Sequence, residues 1–298
     1  MGRTVTVRVP ASSANLGPGF DALGLALDLT ARVTLTLHDR PAPYPRTKAE
    51  QMALAAAQAV FVQAGRTRPA ELQAAYEGDI PVGRGLGASA ALRVGALVAA
   101  NRLLDDPFTP EQIVVLAAEL EGHADNAAAA LFGGLQVAVW HQGEVVHVGV
   151  PVPPALHAVL FVPEMEMPTG ESRKVLPAEL SLPEAVFNIG RAALLVAAMA
   201  TGRLDALRVA TDDVLHQPAR ARIFPALYDV INAALAAGAL SAHLSGAGSA
   251  VLALTTATPD AVAEAMRTAA TERGYPGDTI VTQPCAEGAT VIADRRLP

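Results

Sequence analysis

The chain has 298 residues, of which 51% are hydrophobic and 4% aromatic. That composition supplies a core of aliphatic side chains and alanine and excludes a disordered chain. The formal net charge is −7, and no basic block stands out, which argues against a nucleic-acid-binding surface.

Cys285 is the only cysteine, so an intrachain disulfide is impossible, as suits a reducing compartment. The opening "MGRTVTVRVPASS" lacks the apolar core of a signal peptide, and no apolar run approaches the roughly 18 residues of a membrane span. The expectation is a soluble, cytoplasmic protein with no membrane or nucleic-acid partner.

In chain order, "RTVTVRV" and "ARVTLTLH" (Ala31 to His38) alternate apolar and polar residues and predict half-buried strands. "PAPYP", Pro41 to Pro45, predicts a turn or loop, and Lys48 to Ala64 has helical composition. "DIPVGRGLG" breaks that pattern before a helix from Ser89 to Leu104, which Asp105–Pro107 ends. Thr109-Pro110-Glu111 predicts an N-cap with proline at the first helical position, in a helix running to about Glu121. "GGLQVAVW" and "VVHVGV" predict a hairpin.

The proline-marked "PVPPALHAVLFVP" predicts a boundary near residue 155. Beyond it come a strand at Ala158 to Val162 and helices at Leu182–Thr201, Leu204–Leu215 and Ile223–Ala237. A strand pair in "AHLSGAGSAVLALT", a helix from Pro259 to Arg273 and a strand near Thr290–Ala293 complete the chain. Two α+β domains, residues 1–154 and 155–298, are the simplest partition.

Three motifs carry chemistry. "IPVGRGLGASAAL" packs Gly83, Gly85 and Gly87 into five residues ahead of a helix. Glycines permit positive φ and close approach, and free N–H groups at a helix start attract anions. This is either a phosphate cradle or a glycine-rich turn into an alanine-packed helix. In the first case the Ser89 hydroxyl is free to cap the helix or to ligate Mg²⁺. Neither G-x-x-x-x-G-K-[ST] nor G-x-G-x-x-G is present.

"PASSANLGPGFDALGLAL", Pro10 to Leu27, surrounds Asn15 and Asp21 with glycines, as a tight turn or as a site. "EGHADNAAAALFGG" places Glu121, His123, Asp125 and Asn126 ahead of an apolar run, as a capped helix start or as a site. Zinc is disfavoured by one local histidine and no nearby cysteine. A serine-hydrolase triad has no elbow motif behind it.

Together these segments, with "PTGESRKVLP", "DDVLHQPAR" and "LSGAGSAVLAL", resemble the GHMP small-molecule kinases. "SANLGPGFD", "EGH-DN" and "HQPAR" with an upstream aspartate particularly resemble the members that act on homoserine. The resemblance spans residues 10 to 254 in the family's order.

It implies a two-domain α+β fold, with a ribosomal-protein-S5-like N-terminal domain, a ferredoxin-like C-terminal domain and an active site in the cleft between them. It implies ATP-dependent phosphorylation of L-homoserine with Mg²⁺, in threonine biosynthesis, by a homodimer. ATP phosphates would be wrapped by Pro81, Val82, Gly83, Arg84, Gly85, Leu86, Gly87, Ala88, Ser89, Ala90 and Ala91. Ser89 and Glu121 would help hold Mg²⁺. Asn15, Asp21 and His123 would face homoserine, with Asp21 suited to its ammonium. Thr169, Arg173 and Arg220 would meet it from the second domain, and Gly246 and Gly248 would provide close backbone approach.

The zwitterionic substrate suits those residue types, because arginine grips a carboxylate bidentately and lysine does so poorly. Asn126 is expected near the γ-phosphate or the hydroxyl, without a protein general base; Asp125 is expected to cap or brace its loop, with action as a base the alternative, and His216 to brace its own. The chain departs from the family pattern in four places. Ala88 replaces a common serine, "SGAGSA" replaces "SGAGPT", "DNAAAALFGG" differs modestly from "DNVAPALFGG", and "HDRPAPYPRTKAEQMAL" stands where members have a longer hairpin that helps hold the nucleoside.

Overall fold

The computed structural model describes residues 2–39, 44–45 and 47–297. Most of the loop expected at Pro41 to Pro45 lies outside the described residues. The strands are β1 (Arg3–Asn15), β2 (Gly19–Leu37), β3 (Leu72–Gly78), β4 (Leu135–His141), β5 (Glu144–Val150), β6 (His157–Pro163), β7 (Ser241–Leu244), β8 (Val251–Thr255), β9 (Gly277–Thr282) and β10 (Thr290–Arg296). The helices are α1 (Lys48–Gln63), α2 (Ala88–Leu103), α3 (Pro110–Glu121), α4 (Asp125–Phe132), α5 (Thr169–Lys174), α6 (Leu182–Thr201), α7 (Leu207–Ala210), α8 (Gln217–Arg220), α9 (Leu227–Ala236) and α10 (Pro259–Glu272).

Two antiparallel sheets organise the chain. The first has the order β10-β1-β2-β4-β5, with β3 also paired to β2; the second has the order β7-β8-β6-β9. Val5, Val7 and Val9 of β1 and Val33 and Leu35 of β2 are fully buried with Ala53, Ala57 and Val60 of α1 and Ala91, Val94 and Ala99 of α2. Alanine on the helices lets them lie close to the sheet, where branched strand residues fill the space between. A second cluster joins Val159 and Phe161 of β6 to Phe224, Leu227 and Val230 around α9 and to Val262 and Met266 of α10.

The largest departure from the sequence expectation is at Pro10 to Leu27. It is the end of a long hairpin: β1 pairs with β2 from Arg3↔Leu37 to Asn15↔Gly19, with register shifts at Pro10/Ala11 and Ala14/Asn15. The glycines and proline that mask a strand pattern are there for the tip, where Asn15, Leu16 and Gly17 have φ of 69°, 47° and 82°. Gly17 is required twice over, since a Cβ there would lie 2.1 Å from the Thr211 carbonyl oxygen.

Other elements also differ. β3 goes unpredicted because "LQAAYEG" carries alanines, which are depleted in strands. The helix expected at Leu204–Leu215 breaks after Ala210. There the Asp213 carboxylate accepts the N–H groups of Leu215, His216 and Gln217 and so opens α8. The helix expected from Ile223 begins at Leu227, after Pro225. The last strand is not part of the second sheet; β10 returns to pair with β1, Arg3↔Arg296 to Arg8↔Thr290.

Among the described residues one helix, α6, is long and apolar enough to cross a membrane by length and composition, with mean hydropathy 1.4. Glu184, Asn188 and Arg191 interrupt it as a run, which is why uninterrupted apolar stretches do not reveal it. Asn188 ties it to the fold: its Nδ2 donates to Asp213 Oδ1 at 2.7 Å, and its Oδ1 accepts from the Val214 N–H at 3.0 Å.

Candidate active site

The two sheets and their helices flank a cleft of about 320 Å³. The hairpin tip brings Asn15 and Asp21 to it, the loop before α2 brings its glycines, and the α3–α4 junction brings Glu121, His123, Asp125 and Asn126. The second unit contributes Thr169 and Arg173 of α5, Arg220 of α8 and Gly246.

The glycine loop has the backbone that an anion cradle needs. Gly83, Gly85 and Gly87 have φ of 69°, 74° and 67°. A Cβ on Gly85 would lie 2.0 Å from the Ser245 carbonyl oxygen, and one on Gly87 would lie 2.1 Å from Ser12 Oγ. Helices α1, α3 and α6 close their N-termini with complete capping boxes. Helix α2 has Gly87 at its N-cap and no side-chain cap, and Ala88, Ser89 and Ala90 of its first turn line the cleft. A 16-residue helix therefore presents uncapped N–H groups and its positive dipole end to the cleft.

Ser89 does not cap the helix. Its hydroxyl donates to Glu121 Oε1 at 2.7 Å, and Arg93 Nη1 reaches the same oxygen at 2.5 Å. An oxygen-rich pair beside the cradle suits a hard cation that keeps water and phosphate oxygens among its ligands. No group of three or more His, Cys, Asp or Glu that could hold a metal occurs among the described residues.

At the α4 start, Asp125 Oδ1 accepts from the Asn126 N–H at 2.7 Å and from His123 Nδ1 at 2.6 Å. Burial lowers the His123 pKa, but the Asp125 hydrogen bond and the charges of Asp125, Asp21 and Glu121 outweigh it and leave it raised. Asn126 Oδ1 accepts the Ser12 hydroxyl at 2.8 Å, which fixes the amide's orientation.

In the same cleft Arg173 grips Asp21 bidentately, at 2.9 and 2.7 Å. Asn15 supports this corner, accepting from the Asp21 N–H and donating to the Gly246 carbonyl. Arg220 is almost fully buried; Nη1 donates to the Gly246 carbonyl at 2.9 Å and to His216 Nδ1 at 3.0 Å. His216 Nε2 then donates to the Gly17 carbonyl at 2.8 Å. His216 is thus a neutral imidazole; burial lowers its pKa to about 4. Burial, then the nearby Arg173 charge, lower the Arg220 pKa to about 10. Both guanidinium groups flank the Phe20 ring, at 5.4 and 5.5 Å from its centroid.

Of the residues expected at the site, Arg84, Ala91 and Gly248 do not line the cleft, and all the others do. Ala91 is buried in the core behind the loop. A wall that the motifs do not reveal is built by Lys48, Ala49 and Met52 of α1 and Tyr76 of β3. The Tyr76 hydroxyl is buried without a partner among the described residues, and burial, with Asp79 nearby, raises its pKa.

Residues 51–134 match the GHMP kinases N terminal domain, and residues 195–272 match the GHMP kinases C terminal. The chain is 42% identical to the homoserine kinase of Moorella thermoacetica, over 96% of this chain and 99% of that protein. The chain belongs to the GHMP kinase family. The homoserine kinase of Deinococcus radiodurans is 44% identical over 84% of each chain. The crystal structure of homoserine kinase from Cytophaga hutchinsonii superposes with a TM-score of 0.86, at 29% identity and 97% coverage of both chains. The two-domain GHMP kinase fold thus agrees with the fold class expected from sequence.

Proposed function

We propose that this GHMP kinase transfers the γ-phosphoryl group of ATP to the side-chain hydroxyl of L-homoserine, giving O-phospho-L-homoserine for threonine biosynthesis. The observation that carries the reading is the Asp21–Arg173 pair lining one cleft with the glycine cradle. A zwitterionic amino acid offers the charges that this pair now satisfies internally. Its ammonium suits Asp21, and its carboxylate suits Arg173 and the buried Arg220, with His123 and Thr169 closing around the side chain.

The loop from Pro81 to Ala90 would hold the phosphates, and Ser89 and Glu121 would hold Mg²⁺. When bound, Mg²⁺ neutralises charge on the phosphate oxygens. In the reaction the homoserine hydroxyl oxygen bonds to the γ-phosphorus while the bond from that phosphorus to the β–γ bridging oxygen breaks. ADP leaves, and the hydroxyl proton passes to a phosphate oxygen or water. Phosphoryl transfer through a loose transition state needs positioning more than a strong base. Asn126 cannot accept that proton and serves to orient the hydroxyl or γ-phosphate. Asp125 is committed to His123 and to the Asn126 N–H.

The reading includes a homodimer in the cytoplasm; sedimentation equilibrium tests the assembly. The activity is tested by ADP release with Mg·ATP and homoserine, serine, threonine or mevalonate in turn. Homoserine-dependent turnover is expected. Turnover with a different acceptor would replace the substrate, and ATP binding without turnover would sink the enzyme assignment.

A further inference from the structure

Arg84 lies in the middle of the glycine loop, yet it does not line the cleft. Its guanidinium reaches across to the second unit instead. Nε donates to the Pro163 carbonyl at 2.8 Å, and Nη2 donates to the Glu164 carbonyl at 2.6 Å. Nη1 donates back to the Val82 carbonyl at 3.2 Å and lies 3.3 Å from Glu166. The loop's backbone is engaged the same way. Successive carbonyls of Gly83, Arg84 and Gly85 accept from the Met167 N–H, the Ala250 N–H and the Ser245 hydroxyl, at 3.2, 3.0 and 2.7 Å. The segment Arg84 holds, Pro163 to Met167, ends β6 and leads into α5, which carries Thr169 and Arg173.

We propose that Arg84 is a positioning residue that locks the phosphate loop to the substrate-binding segment, so that nucleotide and amino acid bind cooperatively and in reacting register. The proposal rests on the kinase reading above. The fork matters as well as the charge: two adjacent carbonyls accept from one planar group, which a lysine cannot reproduce. Glu166 is largely exposed, so its ion pair adds little. Phosphoryl transfer depends on the alignment of acceptor and phosphorus, so a loop freed from this tie loses rate before it loses affinity.

The test is calorimetric titration of homoserine, alone and with Mg²⁺ and a non-hydrolysable ATP analogue. It uses wild type, Arg84→Ala, Arg84→Lys and Glu166→Gln, alongside steady-state kinetics and thermal melts. Wild type is expected to bind homoserine at least about 5-fold more tightly with the analogue present. Arg84→Ala should reduce that factor to about 1–2, leave each ligand's separate affinity within about 3-fold, and lower kcat by at least about 10-fold. Arg84→Lys should fall between, and Glu166→Gln should match wild type.

Intact coupling and kcat in Arg84→Ala would overturn the proposal, as would selective loss of nucleotide affinity, the mark of a direct phosphate ligand. Should the alanine variant fail to fold, the lysine variant is judged by the same two criteria. A wild type without homoserine-dependent turnover overturns the functional reading together with this proposal; a working wild type with an unaffected Arg84 variant overturns this proposal alone.

Discussion

The two arginines of the second unit do different work, and their surroundings show why. Arg173 is about one-third exposed and pairs with an equally exposed Asp21, so substrate can exchange with that pair at modest cost. Arg220 is buried among a carbonyl, a neutral imidazole and an aromatic ring, where an anion finds a cation already stripped of water. Arg173→Ala is therefore expected to raise the homoserine KM roughly 10- to 150-fold, the loss of one charge-assisted contact, while leaving the melting temperature and ATP KM near wild type. Arg220→Ala should raise the same KM and also destabilise the fold by about 3 kcal/mol, since it opens a cavity and leaves the buried His216 Nδ1 without its donor. Kinetics with denaturant unfolding checks both. Equal stability losses in the two variants would contradict this division.

At the scale of elements, the site depends on a hairpin and a helix start. Alternation in "RTVTVRV" and "ARVTLTLH" made the hairpin's stem legible. Its upper half was hidden, because the glycines and proline that let Asn15 and Asp21 reach the cleft also erase the period-2 pattern. Helix α3 was legible to its first residue because Thr109 and Pro110 act locally. The glycine loop and the residues around it were legible as chemistry through their motifs. The Lys48–Tyr76 wall was not: its residues come from an alanine-rich helix and an alanine-containing strand, which meet only through packing. Within the loop, geometry separates backbone from side chain. Gly87→Ala would drive a Cβ against Ser12 Oγ at a positive φ, and Ser12 fixes Asn126. Its expected result is a fall in kcat/KM of roughly 100-fold or more. Ala88→Ser, which restores the family's commoner residue, should stay within about 3-fold of wild type if, as proposed, N–H groups hold the phosphates. Parallel kinetics on the two variants tests the claim; a large effect at position 88 would assign the cradle to side chains.

Over the whole molecule, long-range closure and buried histidines govern stability. Strand β10 completes the first sheet beside β1, a pairing between chain ends that no local pattern announces. In the second sheet His243 on β7 is fully buried, with neither ring nitrogen partnered among the described residues. Burial, then the nearby His216, depress its pKa to about 3; His216 itself is depressed to about 4 by burial. Both groups are neutral in the fold, whereas the unfolded chain takes up their protons near pH 6.5. Stability from this source is therefore complete above about pH 6.5 and falls progressively as pH drops toward their folded values. At pH 5 the loss is about 2 kcal/mol for each histidine, because the unfolded chain is protonated while the folded imidazoles remain neutral. His123 opposes the trend, since its raised pKa adds stability that is present in acid and lost as pH rises through its folded value. His243→Leu keeps the volume and removes the titration. Urea unfolding at pH 7.5 and pH 5 should show the acid-induced loss smaller by about 2 kcal/mol in the variant than in wild type. An unchanged difference between the two pH values would mean that His243 gains a proton partner in the fold.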